Sequence, residues 1–371
     1  MYLHNTGCFL SLFPPDMKNI YLQILEHELT DSTLALATVT GTSGSTPRKS
    51  GSSALFDQTG LKSGTIGGGI IEKKVEHIAH AAMQSKSSGL FSFTLDKDMS
   101  YEEEAICGGE MSILIDADPC LHQAVFEQIR RSLLEGIPGV LVTSIAQHEQ
   151  NLVINRFWDT STGNKKEFYH RIQGAEAKIK SMLTQRKHCD FIEFFDSREQ
   201  QDVHIFMEMV LPPSRLVIAG AGHIGKALAH LGKLLEFEIT IIDDRAEFAN
   251  SANIPDADDF VVDDIGHAIR QMKKTKDTYI VIVTRGHKGD ADALRQSIGT
   301  KVAYVGMIGS SKKVALVRQK SIDEGWATPG QWKNIHAPVG LPIRSESVQE
   351  IAVSIAAQLV LERNHQNDIN A

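Results

Sequence analysis

Residues 220–225 read Gly-Ala-Gly-His-Ile-Gly and lie between an apolar run and an amphipathic stretch. Alone this glycine spacing is a weak signal, and its setting between a strand and a helix is what gives it weight. Gly220 permits a tight turn, Gly222 lets the chain approach a pyrophosphate, and Gly225 lets a helix pack close to a strand. The preceding run, Leu216-Val-Ile-Ala219, suits a strand buried on both faces. The following stretch places Ile224, Ala227, Leu228, Leu231 and Leu235 on one helical face. A helix starting here turns unpaired amides and a partial positive charge toward a phosphate. The bland alternative is a glycine turn that holds nothing.

The rest of the C-terminal half keeps the rhythm. Ile239-Thr-Ile-Ile242 reads as a second buried strand ending in Asp243-Asp244-Arg245. Either carboxylate stands where an acid meets a ribose hydroxyl in dinucleotide sites. Phe260–Val262, Tyr279–Val283 and Val302–Val305 supply further strands with helical stretches between several of them. The expectation is a Rossmann-type doubly wound parallel sheet with helices on both faces.

Ligands bind such sheets beyond the strand ends. Thr284-Arg285-Gly286-His287 ends one strand and is followed by Asp290. Arg285 and His287 are read evenly as a site or as a solvated turn. Gly306-Met-Ile-Gly309-Ser310-Ser311-Lys312-Lys313 ends another and opens a helix with hydroxyls and lysines suited to an anion. A loop at His336–Gly340 precedes a last helix, where Ser347 and Glu350 are spaced as a capping box.

The N-terminal half is a mixed α/β pattern. A helix over Leu22–Leu29 and a strand over Leu34–Thr40 lead into a loop, Gly41–Ser53, dense in small and hydroxyl residues. A hairpin is expected about Asp57–Gly60. Gly64-Thr-Ile-Gly-Gly-Gly69 then opens a helix whose apolar face is Ile71, Val75, Ile78, Ala79 and Ala82. Glu72 near its start reads as a helix-terminus charge or as a group that orients a ligand, the former being the simpler. His77 and His80 read as surface residues. Cys107-Gly108-Gly109 enters a strand at Met111–Ile115, and strands follow at Val140–Ile145 and Leu152–Phe157. Pro212-Pro213 marks the end of this half. The chain is accordingly divided into an extension (1–15), an N-terminal domain (16–205) and a Rossmann-type domain (206–371).

Charge and cysteines narrow the classes. A net charge of −8 lacks the basic face of a nucleic-acid binder. No run reaches the ~20 apolar residues of a membrane span, and the N-terminus lacks the marks of a secretory signal. Cys8, Cys107, Cys120 and Cys189 are scattered, without a C-x-x-C pair. A cytoplasmic location is expected.

Taken together, Gly-Ser-Thr-Pro-Arg (44–48), Thr-Ile-Gly-Gly-Gly-x-x-Glu (65–72), Cys-Gly-Gly (107–109), Gly-Ala-Gly-His-Ile-Gly (220–225), Thr-Arg-Gly-His (284–287), Tyr-Val-Gly-x-Ile-Gly-Ser (304–310) and Glu-Ile-Ala-Val-Ser-Ile (350–355) resemble the XdhC/CoxI family. Members are accessory proteins of molybdenum hydroxylases such as xanthine dehydrogenase. The resemblance implies a binding protein that protects the molybdenum cofactor (molybdopterin) and delivers it to such an enzyme. It also implies a cysteine desulfurase as second partner. A homodimer is expected by the same analogy. The cofactor would meet Ser45, Arg48, Gly67, Gly68, Gly69 and Gly108 in one half. In the other it would meet Gly220, Gly222, His223, Gly225, Asp243, Arg285, His287, Gly309 and Ser310.

Cys107 is either a small buried residue or a thiolate touching molybdenum, and the family motif favours the second. The segment Pro342–Val348, with a bulky Arg344, departs from the glycine-containing stretch of the family, as does Ile106 before the cysteine. Two other classes stay open: an NAD(P)-dependent oxidoreductase, lacking an evident acid–base pair, and a nucleotide sensor without chemistry.

Overall fold

The computed structural model describes residues 19–27, 33–95, 108–148, 151–160, 175–185, 188–196, 201–285 and 287–368. The chain divides between Leu211 and Pro212 into two compact units. The division falls at the Pro-Pro pair and not at 205/206. Residues 205 and 206 are interior to a strand, β9 (Gln201–Val210).

The first unit holds two antiparallel sheets. One has the order β3-β2-β1-β5-β4, formed by Gly60–Gly64, Ser53–Asp57, Ala35–Ser43, Glu110–Asp116 and Gly89–Thr94. The other has the order β7-β6-β9-β8, with β7 at Asn151–Thr160, β6 at Gly139–His148 and β8 at Cys189–Asp196. Alternation decides which face packs where. Ala35, Ala37, Val39, Ala54 and Phe56 bury against Ile71, Val75, Ala79 and Ala82 of α2 (Gly69–Ser85). Leu36 and Leu55, pointing the other way, meet Tyr21, Leu22 and Ile24 of α1 (Ile20–His27). Phe126, Ile129 and Leu133 of α3 (Gln123–Leu134) join that cluster, with Leu141, Trp158 and Val210 of the second sheet. The far face of the second sheet takes Ile179 and Met182 of α4 (Ala175–Gln185).

β1 runs three residues beyond the expected strand, through Gly41, Thr42 and Ser43. A register shift between Val39 and Gly41 keeps it paired with β5. His80 is also more than a surface residue: its Nε2 lies 3.0 Å from the Asp57 carbonyl oxygen, bracing the β2–β3 turn.

The second unit is a five-stranded parallel sheet of order β12-β11-β10-β13-β14. Its strands are Arg215–Ala219 (β10), Glu238–Asp243 (β11), Asp259–Val262 (β12), Thr278–Ile282 (β13) and Tyr304–Met307 (β14). Between their ends the central strands are apolar apart from Thr240, so each face has its own core. Leu216, Ile218, Ile239 and Ile241 pack on one side with α5 (His223–Leu234) and α10 (Val348–Asp368). Val217, Ala219, Ile280 and Ile282 pack on the other with α6 (Ile265–Gln271), α7 (His287–Ser297) and α8 (Ser311–Asp323). The short α9 (Pro329–Trp332) closes that side. The expected capping box is present: Glu350 N–H donates to Ser347 Oγ and Ser347 N–H to Glu350 Oε2. Among the described residues no helix is long and apolar enough to cross a membrane.

Candidate functional site

Three glycine motifs far apart in the first unit's sequence meet in space. Ser43 at the end of β1 pairs with Glu110 at the start of β5, which lays the loop after β1 beside Gly108 and Gly109. The contact is close enough to exclude any side chain. A methyl group at Gly109 would lie 2.3 Å from the Ser45 carbonyl oxygen, and one at Gly44 would lie 3.0 Å from that of Gly108. The third motif closes on the first through Pro47, whose Cγ is 2.7 Å from where a Gly67 methyl would stand. Ser45, Arg48 and Gly108 are exposed along this rim. Cys107, next in the chain to Gly108, lies outside the described residues.

Glu72 decides what the motif at 65–69 offers. Its Oε2 accepts from Thr65 Oγ1 at 2.7 Å, Ile66 N–H at 3.1 Å and Gly68 N–H at 3.4 Å. Gly67 N–H donates to Thr65 Oγ1 at 3.1 Å. The expected anion cradle at Gly67 and Gly68 therefore holds the protein's own carboxylate, and those two amides are not bare. Glu72 is an organiser of the loop, more than a terminal charge. On the other side of the rim, Cys189 Sγ donates to the Ser50 carbonyl at 3.2 Å.

An ionisable cluster without sequence signal lies among α1, α3 and the second sheet. Tyr21 Oη donates to Glu208 Oε2 at 2.6 Å, and Arg156 pairs with Asp116. Burial raises the Glu208 carboxyl to about 7, against the pull of the Tyr21 hydrogen bond and the Arg156 charge. Burial, aided by Arg156 and opposed by Asp116, lowers His122 to about 4.

In the second unit the strand order reverses between β10 and β13, the crevice where doubly wound sheets bind ligands. Gly220 has φ of 124°, and a methyl there would sit 2.5 Å from the Val283 carbonyl oxygen. At Gly225 a methyl would meet the Gly220 carbonyl oxygen at 2.0 Å. Both glycines are steric necessities of the turn. Gly222 differs: nothing lies within 4 Å of a methyl group there. That space faces the start of α5, where Gly222 is the N-cap with extended backbone. The first helical amides have no intrahelical acceptor. His223, the first residue of α5, is exposed.

Asp243 is not placed to take a ribose hydroxyl. One oxygen accepts from Ala221 N–H at 2.8 Å and from Arg245 Nη2 at 2.9 Å, the other from Arg245 Nε at 2.8 Å and its N–H at 3.1 Å. Burial opposes its charge, but the hydrogen bonds of Arg245 and Ala221 overcome that and hold the carboxyl below its usual range. Sequence spacing located the right strand end and could not show Arg245 folding back over it. Arg245 stacks on Phe248, with Cζ 3.8 Å from the ring centroid. Asp244 stays exposed in the loop beyond.

Across the crevice, Thr284 Oγ1 donates to Asp290 Oδ1 at 2.7 Å, and Lys313 pairs with Asp290 Oδ2. Asp290 is fully buried. Gly309 is where the Lys313 stem passes, its Cδ 2.9 Å from a notional methyl. Ser310 caps α8, accepting from Lys313 N–H. Arg285 is exposed at the strand end; His287 opens α7, and its side chain lies outside the described residues. Sequence reading named Gly309 and Ser310 but missed Asp290 and Lys313 as a pair. Among the described residues no group of three or more His, Cys, Asp or Glu is arranged to hold a metal ion.

Comparison with known proteins agrees with both halves. The XdhC Rossmann domain matches residues 216–359, and the XdhC and CoxI family matches residues 30–94. A protein of Bacillus subtilis named as a probable xanthine dehydrogenase subunit is 24% identical over 330 residues, covering 88% of this chain and 92% of that protein. The uncharacterized protein YqeB of Escherichia coli is 23% identical over 348 residues; this chain spans 47% of its length. The crystal structure of a xanthine dehydrogenase from Bacillus halodurans has the same fold, with a TM-score of 0.73 at 22% identity, covering 93% of this chain and 96% of that one. With a family domain on each half and the glycine motifs of both in place, the chain belongs to the XdhC and CoxI family.

Proposed function

We propose that this protein is an accessory factor of a xanthine dehydrogenase system that binds the molybdenum cofactor, protects it and delivers it to the molybdenum hydroxylase. The accessory role follows the family and the Bacillus subtilis relative, whose name ties it to xanthine dehydrogenase. The cofactor reading is supported by one observation above others: the convergence of residues 43–51, 65–69 and 108–109 into a single rim along which Ser45, Arg48, Gly69 and Gly108 are exposed.

The donor set fits a phosphorylated, planar group in part. Arg48 can pair bidentately with a phosphate. Ser45 offers a hydroxyl beside it, and open space over Gly68, Gly69 and Gly108 leaves room for close approach. The amides of Gly67 and Gly68 contribute shape only. When bound, the cofactor supplies the molybdenum centre on which the recipient enzyme depends. The residues of this chain would hold and shield it. A cysteine desulfurase is the proposed partner during sulfur installation, and a homodimer the proposed assembly.

The test is purification from a host that makes molybdenum cofactor, followed by oxidation and measurement of pterin fluorescence. Stoichiometric pterin is expected, and Cys107→Ala is expected to lower its retention with the fold unchanged. Protein free of pterin would refute the reading. Equal occupancy in the variant would remove the role of Cys107, and a monomeric mass by light scattering would remove the dimer.

A further inference from the structure

The Thr284–Asp290–Lys313 group stands at the ends of β13 and β14 in the second unit. We propose that Lys313 is a ligand-contacting residue of the Rossmann crevice, donating to an oxygen on the second half of a dinucleotide-class ligand whose phosphates lie on the turn at 220–225. Asp290 is its positioning residue.

The contacts run without a break from one side of the crevice to the other. Gly220 lies against Val283 and the Thr284 amide. Thr284 Oγ1 donates to Asp290 at 2.7 Å, and the second oxygen of the same carboxylate takes the Lys313 ammonium. Asp290 is 0% exposed and the Lys313 side chain 13%. A buried ion pair contributes little net stability, because desolvating two charges offsets most of their attraction. This pair nevertheless sits where strand ends face a ligand. With both oxygens of Asp290 occupied, the ammonium is fixed in place and still has donors to spare.

Charge selects the acceptor. Lys313 and Asp290 cancel, so the pair suits a carbonyl or hydroxyl oxygen better than a phosphate. Phosphate is served on the other side, where the start of α5 is open over Gly222. Two unlike ends in one crevice match a ligand of two halves joined by phosphates.

NADH and ADP are the probes, titrated against the full chain by fluorescence and calorimetry. ADP reaches the turn alone; NADH spans both ends. Lys313→Met is expected to weaken NADH by about 10- to 100-fold, the worth of one hydrogen bond to a charged donor, with ADP changed less than ~twofold. Lys313→Arg recovers most of the loss. Asp290→Asn also weakens NADH, and adding it to Lys313→Met costs nothing more, as for residues acting as one unit. Should Asp290→Asn fail to fold by circular dichroism, Thr284→Val loosens the same carboxylate from its other side and is expected to give a smaller loss of NADH alone. Equal weakening of NADH and ADP, unchanged NADH binding in Lys313→Met, or no NADH binding by the wild type would each overturn the proposal. Pterin retention, measured separately, stands or falls on its own.

Discussion

Replacing Glu208 by Gln should stabilise the first unit, and by an amount that depends on pH. Glu208 accepts from Tyr21 Oη at 2.6 Å, and burial holds its carboxyl at about 7 against an ordinary 4.5. The unfolded chain therefore releases this proton at lower pH than the folded one does. Folded protein binds more protons between these values, so the residue's contribution to stability falls as pH rises through them. The full linkage is at most about 3.5 kcal/mol, and solvent access to part of the residue reduces it to about 2 kcal/mol. Gln keeps the oxygen that Tyr21 needs and never ionises.

His122 works in the opposite direction. Held at about 4, it adds stability as pH rises toward 6.5. The wild-type curve alone is therefore flattened, and only the difference between variants isolates Glu208. Hydrogen exchange of the β6 and β9 amides measures opening of this unit without interference from the other. The Gln variant should match wild type near pH 4.5 and exceed it by about 2 kcal/mol at pH 8. A difference that is constant with pH, or that shrinks as pH rises, refutes the linkage.

Other outcomes follow from single contacts. Gly225→Ala forces a methyl to within 2.0 Å of the Gly220 carbonyl oxygen and should cost about 3 kcal/mol, read as a lower urea midpoint. Gly222→Ala has space and should stay within ~0.5 kcal/mol of wild type, its effect confined to ligand affinity by titration. Glu72→Ala removes the acceptor of Thr65, Ile66 and Gly68, and should cost about 1–3 kcal/mol with faster exchange at the Ile66 and Gly68 amides. Arg344 adopts φ of 61° without being glycine. Arg344→Gly should be near neutral, since relief of the left-handed backbone is offset by a more flexible unfolded chain, while Arg344→Val should cost about 1–2 kcal/mol by urea unfolding.

What the sequence disclosed follows the range of the interactions involved. The second unit was legible because its strands are continuous apolar runs and each βα unit is local. Gly220 and Gly225 carry the steric duties assigned to them for the same reason. In the first unit the elements α3, α4, β4 and β8 carried no clear signal. The convergence of the loops depends on β1 pairing with both β2 and β5, and β5 enters after some seventy intervening residues. Nothing in Gly44–Arg48 itself points to Gly108. Asp243 shows the limit within a single motif: an acid at the right distance, already taken by an arginine two residues away. Lys313 and Asp290 are partners only after α7 and α8 have packed beside β13 and β14. Arg344 is the opposite case. Its departure from a glycine-containing family stretch was visible beforehand, and its left-handed backbone is the conformation glycine would have eased.

The clamp at the end of β11 has a consequence for ligand choice. Asp243, Asp244 and Arg245 together place two carboxylates against one guanidinium, leaving an excess negative charge beside the crevice. A ribose whose hydroxyls are unmodified meets no opposition there. A ligand group bearing an extra phosphate would face the like charge of the exposed Asp244, a repulsion that salt screens. The guanidinium that stiffens this loop is thereby committed to a carboxylate of the protein itself, and it is not set out to receive a phosphate.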